Sequence, residues 1–334
     1  MKHKVTMQNI ADELKISKVS VSKALSGQSD ISEELKDKIY QTAARMGYHM
    51  NNKKQKDKNL QFAFIISKQL FHEKGDFYNV LYYCMNNLCL QQGHRLLLFV
   101  MEEREEKEGI LPEILLKENF AGVFLIGQMK DTLYNTIIKT FETNIAVDFY
   151  EYGLRTDYIL ADNFSMGYEA AMFLIEHGHK DIGFVGDIYA TSSIGDRFFG
   201  YYKALFMNGL NYNKEWLICN NDAGTGIYTE DIILPDILPT AFVCHCERAA
   251  YFLKMTLESK GLKIPEDISL IAFDKTEISN SIFTTLTSFA IEQKDFAELA
   301  LKSMLDKIEK KDKGSITKQY VSNTLIDRGS VKRI

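Results

Sequence analysis

The segment KISKVSVSKALSG, residues 15–27, carries lysines and small hydroxyls around a few apolar residues and contains no acid. At about 100° per residue, Val21, Ala24 and Leu25 fall on one side of a helix and Val19, Ser22, Lys23 and Ser26 on the other. Such an outer face has a definite chemistry. Lys18 and Lys23 can donate to phosphate oxygens or to the O6 and N7 of guanine, Ser20 and Ser22 can reach either, and Val19 can pack on a thymine methyl. A carboxylate there would be repelled by phosphate and left desolvated, which accounts for the missing acids. The competing reading, a merely solvated lysine-serine face, loses ground to the elements around it.

Other chemistry-bearing residues are less productive. His177-Gly178-His179 reads as helix-end punctuation, and Cys244-His245-Cys246 has no second ligand pair at finger spacing, so no metal is expected. Trp216, the single tryptophan, reads as packing. Stretch 60–77, LQFAFIISKQLFHEKGDF, opens on a strand-like run but holds neither G-x-G-x-x-G nor G-x-x-x-x-G-K-[ST], so a nucleotide-binding enzyme is disfavoured and no cofactor is expected. No activated nucleophile is evident. Five cysteines in 334 residues are too few and too irregular for a disulfide framework.

Three short helices must position the basic face. Thr6 is a plausible N-cap for a helix over about 7–14, and Ser17 for the next, with Gly27 closing it. A third opens at Ser32 and runs through Leu35, Ile39, Ala43 and Met46 to Gly47. Two helices joined by a three-residue turn, with a third closing the core, match a helix-turn-helix. Charge supports the division: residues 1–58 hold 12 Lys/Arg against 7 Asp/Glu, a net of +5, so the remainder carries −10 of the chain's −5 total. The polar run 51–59, NNKKQKDKN, reads as a flexible linker.

From Leu60 the pattern becomes strand, helix, glycine, strand. Helices from about Phe77, Met166 and Arg248 end near Gly93, Gly178 and Gly261, each followed by a β-rich apolar run, which signals repeated βα units around parallel sheet. Further strands are expected over 121–126, 145–149 and 241–244. That number of strands favours two lobes. The N-terminus lacks an apolar signal region and the longest apolar runs are strand-length, so a soluble cytoplasmic protein is expected.

The run VTMQNIADELKISKVSVSKALSGQSDISEELKDKIYQTAARMGYHMN resembles the DNA-binding head of LacI-type transcriptional regulators along its full length. ILADNFSMGYEAAMFLIEHGHKDIGFVG, DRFFGYYKAL and PTAFVCHCERAA followed by IPEDISLIAFD resemble their effector-binding part, which shares its fold with periplasmic sugar-binding proteins. The resemblance implies an all-α head over 1–50, a linker over 51–59, and an α/β body over 60–334 of two doubly wound parallel lobes. These lobes would span about 60–161 plus 290–319, and 162–289 plus 320–330, joined by three crossovers. Lys18, Val19 and Lys23 would read bases, with Thr6, Ser17 and Ser20 on phosphates. Phe77, Tyr78, Asp162, Arg197, His245, Cys246, Glu247 and Asp274 would line an effector cleft suited to a polyol, since carboxylates accept from ring hydroxyls and an aromatic face covers C–H surface. Taken without the resemblance, Arg197 and Asp274 could equally be a structural ion pair.

The sequence departs from the family in three places. Lys15 stands where the turn commonly has glycine, at a cost of about 1 kcal/mol if the left-handed conformation is kept. The linker lacks the leucine that relatives wedge into the minor groove, and Cys246-Glu247 replaces a common Asn-Asp pair. The expected protein is a homodimeric, non-enzymatic repressor on a pseudo-palindromic operator, controlled by a small carbohydrate-like effector. A sugar kinase or dehydrogenase with a DNA-binding appendage is the alternative.

Overall fold

The computed structural model describes residues 6–25, 31–46, 59–71, 77–219, 232–274, 283–310 and 316–334. Gly27, Gly47 and most of the linker, on which parts of the sequence reading fall, lie outside these residues. The chain divides into two compact units, Met1–Lys58 and Asn59–Ile334.

The first unit is helical: α1 (Met7–Leu14), α2 (Lys18–Leu25) and α3 (Glu33–Arg45). Its core is small, with Ile10, Ala11, Val21, Ala24 and Ile39 fully buried. Thr6 caps α1 by accepting from the Asn9 N–H at 3.4 Å, while the Asn9 carboxamide takes the Thr6 N–H at 2.8 Å. That reciprocal box satisfies two of the helix's orphan donors. Lys15 ends α1 at φ 53°, ψ 41°, so the lysine does adopt the left-handed conformation usually reserved for glycine.

In the second unit the chain alternates β1 (Gln61–Ser67), α4 (Phe77–Gln91), β2 (Arg95–Met101), α5 (Glu103–Glu108), α6 (Glu113–Lys117), β3 (Gly122–Ile126), α7 (Asp131–Thr140), β4 (Asn144–Val147) and β5 (Asp157–Ala161). There follow α8 (Asn163–Glu176), β6 (Ile182–Val185), α9 (Ser192–Met207), β7 (Leu217–Ile218), β8 (Ala241–Cys244), α10 (Glu247–Ser259) and β9 (Ser269–Phe273). The end of the chain is β10 (Thr287–Ile291), α11 (Gln293–Lys310), β11 (Lys318–Val321) and β12 (Asn323–Ile326).

Two sheets result, ordered β11-β5-β4-β3-β1-β2 and β12-β10-β9-β8-β6-β7. Every pairing is parallel except β10 with β12. Helices on both faces bury the strands, which explains why β1, β3 and β9 read as nearly continuous apolar runs instead of alternating ones. The chain passes between the sheets three times, after Ala161, after Ile291 and between Val321 and Asn323.

Two element boundaries differ from the sequence reading. The strand expected to reach residue 149 stops at Val147, because Asp148 turns to φ 63°. The helix expected from Met166 begins at Asn163, since Asp162 caps it by accepting from the Ser165 N–H at 3.1 Å.

Within the second lobe α8 and α9 pack backbone against backbone. A Cβ on Gly167 would strike the carbonyl of Arg197, and one on Gly200 the carbonyl of Phe164. This close approach carries Arg197 to Asn163 at the start of α8 and so builds one wall of the site.

Candidate functional site

The head presents its chemistry on α2. Ser17 accepts from the Ser20 N–H at 3.0 Å and its hydroxyl pairs with that of Ser20 at 2.8 Å, which holds the first turn in shape. Val21 and Ala24 face inward, whereas Val19 is 63% exposed beside exposed Lys18 and Ser22, with Lys23 half-buried and engaged within the protein. An exposed β-branched residue on an otherwise polar face gains nothing from water.

The body gathers polar groups where parallel strands end and helices begin, the place at which open α/β sheets take ligands. Asp148 follows β4 in the first lobe and Asp274 follows β9 in the second, and both adopt positive φ, 63° and 71°. Non-glycine residues held in this region store strain, and such strain concentrates at functional sites. Tyr78, on the first turn of α4, donates its hydroxyl to Asp148 at 2.8 Å. Burial is the main force lifting the Asp148 carboxyl, to about 7; Asp274 adds to it, while Tyr78 and Arg197 oppose it.

Arg197, on α9, is 5% exposed and uses each guanidinium nitrogen. Nε donates to the Asn163 side-chain oxygen at 2.8 Å, Nη1 to the His245 carbonyl at 2.5 Å and Nη2 to Asp274 at 3.1 Å. Its Cζ lies 4.7 Å from the centre of the Phe273 ring. Burial works against this charge, yet the carboxylates of Asp274 and Asp148 hold it in place. The ion pair considered from the sequence therefore exists, and it orients Asp274.

The 245–247 corner turns inward. His245 is 2% exposed, and burial, followed by the nearby Arg197, drives its pKa down to about 3, so the ring is neutral. Cys246 caps α10 by accepting from the Ala249 N–H at 3.4 Å, and burial pushes its thiol up to about 12. Glu247 is fully buried and accepts from the Ser288 hydroxyl at 3.0 Å. These side chains anchor α10 and Arg197, and the enclosed Glu247 carboxylate is a poor candidate for meeting a ligand. Phe77 stacks edge-on against Phe296 at 5.6 Å and Tyr78 at 5.3 Å. Asp162 stays half-buried at the first crossover.

Sequence reasoning missed Asp148, Tyr150, Ser192 and Asp196. A signal existed for the first: VDF at 147–149, like AFD at 272–274, sets an acid directly after an apolar strand. Tyr150 donates its hydroxyl to Asp196 at 2.8 Å, a pairing between residues 46 apart that no local pattern announces.

Comparison with known proteins bears on the fold. Residues 171–331 match the periplasmic binding protein-like domain. The transcriptional repressor PurR of Pasteurella multocida is 24% identical over 98% of this chain and 98% of its own length. Among solved structures, a complex of the transcriptional regulator CelR with cellobiose superposes with a TM-score of 0.67 at 16% identity, covering 98% of this chain and all of the other. The lac repressor dimer bound to operator and the anti-inducer ONPF gives 0.68 at 16% identity, covering 99% and 100%. A head of three helices and a body of two parallel lobes define the fold of LacI-type regulators. The matched domain and the repressors aligned nearly end to end at 24% identity are those of LacI-type transcriptional regulators, which this chain resembles in sequence and in fold. No helix among the described residues is long and apolar enough to cross a membrane.

Proposed function

We propose that residues 1–50 bind a pseudo-palindromic operator through α2 and that residues 60–334 bind an uncharged polyol, a sugar or oligosaccharide, between the lobes. On DNA, Lys18, Val19 and Lys23 meet base edges while Thr6, Ser17, Ser20 and Ser22 meet phosphates. The observation that carries this half is Val19, exposed among lysines on a helix without acids.

In the cleft the acceptors are Asp148, Asp274 and Asp162, with Phe77 and Tyr78 as aromatic surface. Arg197 acts as the fixed point that aims Asp274. Three of the five N–H groups of Arg197 are bonded to protein acceptors, and the carboxylates of Asp274 and Asp148 beside it disfavour a phosphate or carboxylate. Ring hydroxyls, by contrast, donate directly to the aspartates. The cellobiose held by the related regulator supports the same chemistry.

The repressor acts in the cytoplasm as a homodimer, for which the exposed apolar stripe Val80, Tyr83 and Leu90 on α4 supplies a surface. Effector binding changes lobe closure and thereby the spacing of the two heads. The test is a thermal-shift panel of neutral sugars, sugar phosphates and sugar acids on the full chain. Binding raises the melting temperature, so a shift with a neutral mono- or oligosaccharide and none with its phosphate is expected. A shift only with the anionic members would refute the assignment.

A further inference from the structure

Three hydrogen bonds cross between the lobes at the N-terminal end of α9. The Tyr150 hydroxyl donates to Asp196 at 2.8 Å, the Tyr150 N–H donates to the Ser192 hydroxyl at 3.2 Å, and the Ser192 N–H donates to the side-chain oxygen of Gln128 at 3.3 Å. Tyr150 and Gln128 follow β4 and β3, strands of the first sheet, whereas Ser192 and Asp196 open α9, which covers the second. The first turn of a helix leaves N–H groups without intrahelical partners. In α9 the Ile194 N–H is taken by Thr191 of its own lobe, but that of Ser192 is taken by the opposite lobe.

The Tyr150 ring is fixed from two further directions. It stands edge-on to Tyr152 at 5.4 Å, and the Lys318 ammonium lies 4.5 Å from its centre. Asp196 is half-buried, and burial is the largest force keeping its carboxyl above the usual range; Asp162 adds to it, while Tyr150 and Lys318 oppose it. The Tyr150 phenol is itself pushed far up by burial and by the facing carboxylate, so the proton stays on the phenol and Tyr150 is the donor.

We infer that Tyr150, Ser192, Asp196 and Gln128 form a latch, made of protein groups alone, that holds the lobes together at this edge of the cleft. The inference rests on the cleft being the effector site. It makes Tyr150 a positioning residue. A bridge already present removes part of the population penalty that a ligand otherwise meets when it must first draw two lobes together. Motion on effector binding then occurs about a pinned edge.

Hydrogen exchange on the full, effector-free chain tests the latch directly, because two of its members are backbone amides bonded only across the lobes. The Tyr150 and Ser192 amides should be protected in the wild type. Tyr150→Phe keeps both amides and the ring, and loss of its bond to a charged acceptor should speed their exchange roughly tenfold. Amides of β3 and β8 should be unchanged, which also shows that the variant is folded. Gln128→Ala should release the Ser192 amide while leaving the Tyr150 hydroxyl bond in place. Unprotected Tyr150 and Ser192 amides in the wild type, or rates indifferent to Tyr150→Phe, would overturn the latch. If the amides are protected but no sugar binds, the latch stands and the effector assignment fails; if a sugar binds while the amides are unprotected, only the latch is lost.

Discussion

Replacing Asp148 by asparagine should stabilise the protein, and increasingly so as pH rises. Asparagine is among the few residues that tolerate the φ of 63° found there, and its carboxamide oxygen can still accept from Tyr78. The substitution therefore removes the charge and little else. The carboxyl is lifted from 3.8 to about 7 in the folded chain, so between those values the folded state keeps a proton that the unfolded state has lost. Stability of the wild type consequently falls as pH climbs through that window and levels off above about 7. The gap corresponds to about 4 kcal/mol, and solvent reaching the half-buried group reduces the expected effect to about 2 kcal/mol. Urea unfolding of both proteins between pH 4.5 and pH 8 reads this out. The gain should be small at the acid end and reach its full size near pH 8. An equal gain at every pH, or a loss at pH 8, would refute the placement of Asp148 as a half-buried acid beside Arg197 and Asp274.

The remaining predictions concern the frame around the two surfaces. Gly200→Ala drives a methyl group into the Phe164 carbonyl, forces α8 and α9 apart and should cost about 2–3 kcal/mol in urea unfolding. Arg197→Lys gives up a planar fork serving three acceptors and should destabilise the body by about 3 kcal/mol, measured the same way, while operator binding by the heads persists. Lys15→Gly relieves a left-handed lysine and should raise the stability of the head by about 0.5 kcal/mol, seen as slower amide exchange in α1 and α2, with no change in the preferred operator.

The head and the strand-helix alternation were legible because their causes are local. Thr6 and Ser17 are cap residues at the right distance before apolar periodicity, and β1, β3 and β8 are apolar runs of strand length. β11 and β12 were not seen as strands: KQYV and NTLI lie at sheet edges, mix polar with apolar residues and are only partly buried. The site was legible in part. Arg197 and Asp274 came from resemblance, and Asp148 could have been found as an acid closing a strand. The inward turn of Glu247 depends on Ser288, 41 residues away, and the Tyr150–Asp196 bond on two lobes meeting. Contacts of that kind are set by tertiary packing, and neither spacing nor composition encodes them. The glycine pair that brings Arg197 to Asn163 was equally silent, since each glycine sits inside an ordinary helical pattern.

The central claim is that α2 reads base pairs in duplex DNA. Selection of duplexes from a random pool by the full chain tests it most directly, run beside a Val19→Ala, Lys23→Ala double variant. The wild type should enrich two half-sites related by an approximate dyad, and the variant should lose base preference at the affected positions while keeping salt-dependent attraction to the backbone. Enrichment of the same sequence by both proteins, or of none by the wild type, would contradict it.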